Sequence, residues 1–272
     1  MEGTHFENDD ILRTFYWFWD ILVEKKQPEA RIDYYVIGED CWYSRKKFEI
    51  KDQKKLRLYI SDDSDSCKII SDKTDVYKLK RENNKSEGKI TWKFDPNYPV
   101  KTHGAESLLV TKEEQGSLRQ HKPGYRKDVV SCISEPFEES ITVLGKMQVV
   151  LTVATDVEDT AFVAKIMEVR PNGEAYNMRT GITTLGYRNH SDTRQIYEPG
   201  EKVQITIDMW DLAWKIQKGS RIRIDLTSSD FPQYSVHSNF AGCWATQKKV
   251  RSANQQVYYG GYAESYISLP RL

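Results

Sequence analysis

The chain has 272 residues, enough for one large domain or one and a half, and its 40 Lys plus Arg balance 40 Asp plus Glu to a formal net charge of zero. It carries no basic block that would neutralise phosphates, so we expect no nucleic-acid partner. No apolar run approaches the roughly 20 residues that cross a bilayer, and Met1 is followed by Glu2 and Gly3 rather than by a signal peptide. We therefore expect a cytoplasmic protein with no membrane partner.

Neither the cysteines nor the acidic clusters predict a metal site. The four cysteines are far apart and form no C-x-x-C pair, so we expect ordinary, mostly packed thiols rather than zinc ligands or disulfides. They are Cys41, Cys67, Cys132 and Cys243. The acidic runs at 62–65 and 156–159 lack the glycine and terminal glutamate of an EF-hand loop and are expected to be solvated turns. We expect no metal and no other cofactor.

The first predicted element is a helix near the start of the chain. Apolar residues recur every three or four positions across 11–22, one of residues 8–10 can cap the helix, and Pro28 ends the run. Further apolar side chains lie off that stripe, so the helix needs cover on more than one side. Residues 31–37 then predict a strand, which Gly38 ends.

From about Lys54 onward, short extended segments alternate with polar turns. This pattern is typical of a β-sandwich, and no second stretch of sustained helical periodicity follows. The predicted strands are 56–60, 76–79, 89–94, 129–133, 141–143, 148–154, 162–169, 202–207, 221–227 and 266–269.

The segment 220–239 combines one of these strands with a polar strand end. Ile222, Ile224 and Leu226 alternate with charged residues, which is the period of a half-buried strand. Pro232 stops the strand because proline has no amide hydrogen for a sheet ladder. Polar residues at such an end often bind ligands. The alternative, which spacing alone favours, is a sandwich strand with a polar turn.

The same segment closely resembles the G-H-R-I-R-L-x-I-S-S-S-N-F-P-x-x-x-x-N-x-N signature of the cocaine esterase and X-Pro dipeptidyl-peptidase (CocE/NonD) family of serine hydrolases. Further segments resemble family motifs, and they occur in the family's order. They are 94–100 for Y-D-P-x-x-P-V, 126–129 for R-x-D-V, 159–165 for D-T-D-F-T-A-K-L, 171–173 for P-D-G, and the stretches 198–201 and 207–210.

The resemblance implies two parts. Residues 1–53 correspond to the C-terminal remnant of an α/β-hydrolase domain, and residues 54–272 to a jelly-roll β-sandwich of the galactose-binding-like type that covers the active site. It implies the C-terminal portion of a serine hydrolase that cleaves ester or X-Pro and other amide bonds through an acyl-enzyme. The alternative is a free-standing jelly-roll module that binds carbohydrate or peptide, but such a module has no reason to carry a helix from a catalytic domain.

No serine nucleophile is recognisable in the sequence. An α/β-hydrolase presents its serine in a G-x-S-x-G turn, and no such pattern occurs among the 272 residues. The resemblance therefore places the nucleophile outside this chain, which we expect to be inactive alone. His5 is one candidate for the family's catalytic base, although the family's G-P-W-x-H segment is not matched there. The alternative for His5 is a surface histidine.

The loop that follows the strand at 221–227 is the predicted substrate-facing or interdomain region. Asp230 and His237 stand where the family signature has asparagine, so specificity is expected to differ from that of other members. The candidate residues are Trp210, Ser228, Ser229, Asp230, Phe231, His237 and Asn239.

Other aromatic and histidine side chains allow two interpretations. Trp210, Trp214 and Tyr234 either form an aromatic platform for a sugar or pack in the core and between domains. The histidines show no metal-ligand spacing, and each is expected to be a surface or loop histidine. They are His103, His121, His190 and His237.

The region 11–37 predicts which partners this chain has. Its aromatic residues would normally pack against the sheet of a hydrolase domain, and without it they leave a larger apolar patch than soluble monomers usually tolerate. We expect either an N-terminal catalytic portion or a second copy of the chain to cover this patch. The full-length context implies a small ester or peptide substrate.

Overall fold

The computed structural model describes residues 9–47, 53–62, 76–106, 111–243 and 246–272. These residues fall into two compact units: 9–35 with 41–47, and 36–40 with the described residues from 53 to 272. The assignment of residues 1–53 to a hydrolase domain and of 54–272 to a jelly roll stays a prediction.

The first unit holds a helix and most of a hairpin. Helix α1 spans Asp9–Leu22, which confirms the predicted helix. Strands β1 (Ile32–Val36) and β2 (Cys41–Arg45) form a two-stranded sheet, of which only β1 was predicted. Tyr34 stacks on Tyr43 across this hairpin, with 5.8 Å between ring centroids. No helix in the described part of the chain is long and apolar enough to cross a membrane.

The second unit is built from strands. They are β3 (Lys54–Ser61), β4 (Tyr77–Lys80), β5 (Gly88–Phe94), β6 (Val130–Ser134), β7 (Ile141–Thr155), β8 (Ala161–Val169), β9 (Ala175–Thr184), β10 (Val203–Ile216), β11 (Arg221–Thr227), β12 (Ala253–Tyr259) and β13 (Tyr266–Arg271).

All eleven strands belong to one hydrogen-bonded sheet with the order β5-β12-β7-β13-β3-β4-β6-β11-β8-β9, and β10 pairs with β7. One apolar cluster draws Phe94 from β5, at one end of that order, and Ile166 from β8, near the other end. Strands so far apart in the pairing order share a core only when the sheet folds back into two packed layers. The predicted mainly β fold with a β-sandwich is confirmed.

The two predicted strands 141–143 and 148–154 are one continuous strand, β7. Gly145 interrupts the sequence pattern but does not end the strand, because its φ of 114° keeps it in register opposite Leu212 of β10. Glycine tolerates this conformation without the strain a Cβ would add. The neighbouring strand β10 accommodates the irregularity with a bulge between Asp208 and Asp211.

Strands β9 and β12 were not predicted, because each hides a polar residue in the core. Asn177 of β9 and Gln255 of β12 are both buried. The Asn177 amide donates to the carbonyl oxygen of Gly104 over 2.7 Å, and the Gln255 amide donates to the hydroxyl of Thr160 over 2.7 Å. When only the sequence is read, a buried polar residue cannot be told from an exposed one. The alternation of buried and exposed residues in these two strands is therefore not recognisable.

Candidate binding site at the end of strand β11

The turn after β11 is held against the segment that follows β5. The N–H of Val100 donates to Ser229 Oγ over 2.9 Å, and the N–H of Phe231 donates to the carbonyl oxygen of Val100 over 2.9 Å. In return, the N–H of Thr102 donates to the carbonyl oxygen of Phe231 over 2.7 Å. These bonds give the backbone polar groups partners and fix the direction in which Asp230 points.

The seven predicted loop residues divide into two groups. Trp210 is 79% exposed and Phe231 is 47% exposed, so these two can meet a substrate or another domain. The others are buried and hold the turn in place: Ser228, Ser229, Asp230, His237 and Asn239. His5 lies outside the described residues. Whether any of these residues faces a substrate stays a prediction.

The polar face of β11 differs from the sequence prediction. The alternation predicted a half-buried strand with its charges outside, but Arg223 and Asp225 are buried. Arg223 donates from Nε and Nη2 to the two Asp225 carboxylate oxygens over 2.7 and 2.6 Å, and its Nη1 donates to the carbonyl oxygen of His121 over 2.7 Å. Ser131 Oγ donates to the same carboxylate over 2.6 Å. Nearly every donor and acceptor of the pair is used, which offsets part of the desolvation cost of burying the two charges.

A narrow cleft opens beside this ion pair. Its floor contains Lys165 of β8 and Asp230 of the turn, whose Nζ and Oδ1 atoms lie 3.6 Å apart. The rings of His121 and Tyr125 form part of its wall. Burial raises the pKa of the Asp230 carboxyl, and the nearby Lys165 ammonium offsets part of that rise.

A second buried polar cluster surrounds His237 on the same loop. The N–H of Asn239 donates to His237 Nδ1 over 3.0 Å, while His237 Nε2 lies 3.9 Å from a carboxylate oxygen of Asp159. The Asn239 amide oxygen accepts a hydrogen bond from Thr160 Oγ1 over 2.8 Å. Burial lowers the pKa of His237, and Asp159 opposes that shift.

The structure decides several expectations about individual residues, some of which were wrong. His237 lies in a loop, which is one of the two expected settings, but it is buried and not at the surface. Asp159 is buried and does not lie in a solvated turn; its carboxylate accepts the N–H of Gly186 over 2.9 Å. Trp214 is buried in the core with its indole N–H donated to Glu168 over 2.8 Å, which agrees with the packing interpretation and excludes an exposed platform shared with Trp210. Of the cysteines in the described ranges, Cys132 is buried, but Cys41 and Cys243 are exposed rather than packed.

The described residues contain no group of three or more His, Cys, Asp or Glu side chains that would hold a metal ion. Sequence reasoning did not single out Lys165, His121 or Tyr125 as part of a site. For Lys165 a signal existed, since only it and Glu168 carry a charge in an otherwise apolar strand. For the two aromatic residues none existed, because their loop is brought to the sheet by contacts distant in sequence.

A family model described as the X-Pro dipeptidyl-peptidase C-terminal non-catalytic domain matches residues 24–268. The cocaine esterase of Rhodococcus sp. (strain MB1 Bresler) is 27% identical over 245 residues, which are 89% of this chain and 42% of that protein. The chain therefore spans less than half the length of this relative.

Two solved structures share the fold. An aminopeptidase from a marine sediment archaeon, Thaumarchaeota archaeon, superposes with a TM-score of 0.77 at 20% identity, covering 96% of this chain and 44% of that one. An α-amino acid ester hydrolase superposes with a TM-score of 0.76 at 20% identity, covering 94% and 44%. With the family model covering most of the sequence, this chain belongs to the X-Pro dipeptidyl-peptidase C-terminal non-catalytic domain family and corresponds to the C-terminal part of a CocE/NonD-type hydrolase.

Proposed function

We propose that this chain acts as the jelly-roll portion of a CocE/NonD-type serine hydrolase, covers the active site of that enzyme, and does not hydrolyse substrates alone. The observation that carries this proposal is the surface of α1. Phe15, Trp17, Phe18 and Trp19 are each between 46% and 56% exposed in the chain, and Ile11 is 81% exposed. An apolar surface of this kind marks a place where another protein surface packs.

The reactions that the relatives' names describe agree with this proposal. A cocaine esterase, an aminopeptidase and an α-amino acid ester hydrolase cleave ester or amide bonds, which suggests acyl transfer to water for the whole enzyme. Such a reaction needs an activated nucleophile, a base within hydrogen-bond reach, and donors for the oxyanion. This chain has no G-x-S-x-G turn to present the serine. Its own contribution would be to shape the site and to exclude water.

Within the jelly roll, the turn after β11 supplies the proposed contact surface. Its buried residues fix the backbone, and Phe231 stays exposed at the tip. Trp210 projects from the bulged part of β10 and is exposed as well. We infer that these two side chains face the substrate or the catalytic domain, because large exposed aromatic residues on a rigid support are typical binding anchors.

The first test measures turnover of p-nitrophenyl esters and of an Ala-Pro anilide by the purified chain, with a serine-directed phosphonate as a probe. We expect neither turnover nor stoichiometric labelling. Turnover that is abolished by labelling one serine would show that a nucleophile exists here and would overturn the proposal.

The second test reads the nucleotides upstream of the Met1 codon. We expect them to encode a G-x-S-x-G segment, and we expect a fusion of that portion with this chain to hydrolyse one of the two substrates. A matched fusion with Phe15→Glu and Trp19→Glu should lose activity through failed docking, whereas Arg13→Glu changes the net charge equally and should not. A fusion that stays active after the double substitution would argue against docking through α1.

The alternative function is a free-standing jelly-roll module that binds carbohydrate or peptide. The exposed aromatic face of α1 favours the hydrolase instead, since an isolated module would gain nothing from an uncovered apolar helix.

A further inference from the structure

We propose that His237 is an acid-sensitive latch on the loop of residues 238–251, which leads into β12. While the His237 ring is neutral it holds this loop closed at Asn239, and protonation of the ring releases the loop while the sandwich stays folded. The latch lies within the second compact unit, and the inference does not depend on the proposed hydrolase function.

Asn239 is the joint that closes the loop. Its side-chain amide donates to the carbonyl oxygen of Arg251 over 2.6 Å, and Arg251 Nε donates back to the carbonyl oxygen of Asn239 over 3.0 Å. The N–H of Arg251 also donates to the carbonyl oxygen of Ser238 over 3.1 Å. Thr160 Oγ1 connects the joint to the sandwich, because it donates to the Asn239 amide oxygen over 2.8 Å. Asn239 therefore ties the two ends of the loop to each other and to the rest of the fold.

Between its two ends the loop is held mainly by bonds within itself. The N–H of Thr246 donates to the carbonyl oxygen of Cys243 over 3.2 Å, and the Gln247 amide donates to the carbonyl oxygen of Ala241 over 3.1 Å. Segments with few ties to the core open more easily than the core itself. Closure of this loop therefore depends on the joint at Asn239.

The two nitrogens of the His237 ring face different groups. Nδ1 accepts the N–H of Asn239 over 3.0 Å, so Nδ1 is unprotonated and Nε2 carries the hydrogen. Protonation places a hydrogen on Nδ1, which breaks this bond and leaves the buried N–H of Asn239 without its acceptor. Nε2 lies 3.9 Å from Asp159 Oδ2, beyond hydrogen-bond distance. The neutral ring thus holds Asn239, whereas the charged ring is drawn towards Asp159.

The charges around the ring favour the closed loop at neutral pH. Burial lowers the pKa of His237, Asp159 opposes that shift, and Arg194 adds to it. Arg194 Nε lies 3.9 Å from the same Asp159 oxygen and competes with the ring for it. Because the pKa of the closed state lies below the ordinary value of 6.5, closure is favoured above pH 6.5 and weakens as the pH falls below it.

Replacement of His237 by asparagine separates the hydrogen bond from the proton. Asparagine is also the residue that the family signature has at this position. Its side-chain oxygen can accept the N–H two residues later, as in an Asx turn, and it does not titrate. His237→Asn should therefore keep the loop closed at every pH between 5 and 8.

The test is amide hydrogen exchange of the full chain, followed by mass spectrometry at pH 7.5, 6.5 and 5.5 and corrected for intrinsic exchange rates. Protection of residues 238–251 should fall by up to about tenfold between pH 6.5 and pH 5.5, the change for an equilibrium coupled to one proton. Amides of β7 should stay more protected than the loop at each pH. Equal protection of the loop and of β7 at pH 5.5 would mean that the loop opens only by global unfolding, which would overturn the proposal.

Two variants assign the effect to His237. His237→Asn should show the same loop protection at all three pH values. His190→Asn is the control, since it changes a histidine whose side chain is 57% exposed, and it should behave like the wild type. The latch is ruled out if His237→Asn keeps the pH dependence of the wild type, or if its loop is unprotected at every pH.

A measurement on the wild-type chain tests the latch without any substitution. The nitrogen chemical shifts of the His237 ring at pH 7.5 should show an unprotonated Nδ1 and a hydrogen on Nε2. The opposite tautomer cannot accept the N–H of Asn239 and would overturn the proposal, as would loop protection that is independent of pH.

Discussion

The indole ring of Trp92 in β5 meets the phenyl ring of Phe162 in β8 edge to face, with 6.1 Å between centroids and 87° between planes. The two strands lie near opposite ends of the hydrogen-bonding order of the sheet, so this contact joins its two layers. The indole N–H also donates to Ser228 Oγ over 3.3 Å. The core contact therefore reaches the first residue of the turn that carries Asp230.

Phe162→Ala should destabilise the chain by about 3–5 kcal/mol, because it removes a buried aromatic side chain and leaves a cavity between the layers. Urea unfolding followed by circular dichroism measures this loss. Tyr262→Ala is the control, since Tyr262 is fully exposed and its removal should change the free energy of unfolding by less than about 0.5 kcal/mol. Equal effects of the two substitutions would contradict the two-layer core.

Asp225→Asn should destabilise the chain by about 3–5 kcal/mol, because it leaves the Arg223 guanidinium buried without a counter-charge. The exposed pair of Arg271 and Glu139, 3.0 Å apart, is the matched control, and Glu139→Gln should cost at most about 1 kcal/mol. The double substitution of Arg223→Met with Asp225→Leu should recover most of the loss of Asp225→Asn. A loss below about 1 kcal/mol for Asp225→Asn would show that Arg223 is hydrated.

His237 should make the chain less stable in mild acid. Burial lowers its folded-state pKa below the ordinary value of 6.5, and Nδ1 accepts a hydrogen bond from the N–H of Asn239 only while unprotonated. The unfolded chain therefore binds the proton first, and the free energy of unfolding falls as the pH drops through about 6.5, by at most about 1.4 kcal/mol per pH unit.

Urea titrations between pH 5 and pH 8 test this expectation. The chain with His237→Gln should show a shallower pH dependence than the wild type. His190→Gln, which alters a histidine whose side chain is 57% exposed, should keep the dependence of the wild type. If His237→Gln and the wild type lose stability in parallel, the acid sensitivity has another source.

The exposed face of α1 should make the isolated chain self-associate at high concentration. Phe15 and Trp19 lie one turn apart with 6.2 Å between ring centroids, and replacing both by glutamate removes a continuous part of the apolar face. We expect light scattering to give a lower mass for this double variant than for the wild type, together with weaker binding of an apolar dye. Arg13→Glu, with the same change in net charge, should behave like the wild type. A wild-type chain that stays monomeric without binding the dye would contradict the prediction.

The local spacing of apolar residues was enough to predict the elements in which the side chains that pack are the apolar ones. The helix at Asp9–Leu22 and the strand at Arg221–Thr227 follow from spacing, and the family resemblance rests on segments that keep their order along the chain. In these segments the side chains that pack are apolar, so burial and chemistry agree. The sequence alone also established that no G-x-S-x-G turn is present.

Only the tertiary structure decided which polar residues are inside. Asn177 and Gln255 are buried because Gly104 and Thr160, far away in sequence, supply their hydrogen-bond partners. Asp225 finds two donors on Arg223, whereas Asp230, five residues later, is paired only with the more distant ammonium of Lys165, 3.6 Å away. A carboxylate has the same intrinsic chemistry at both positions. Its role depends on partners that the fold brings together, and local spacing carries no record of them.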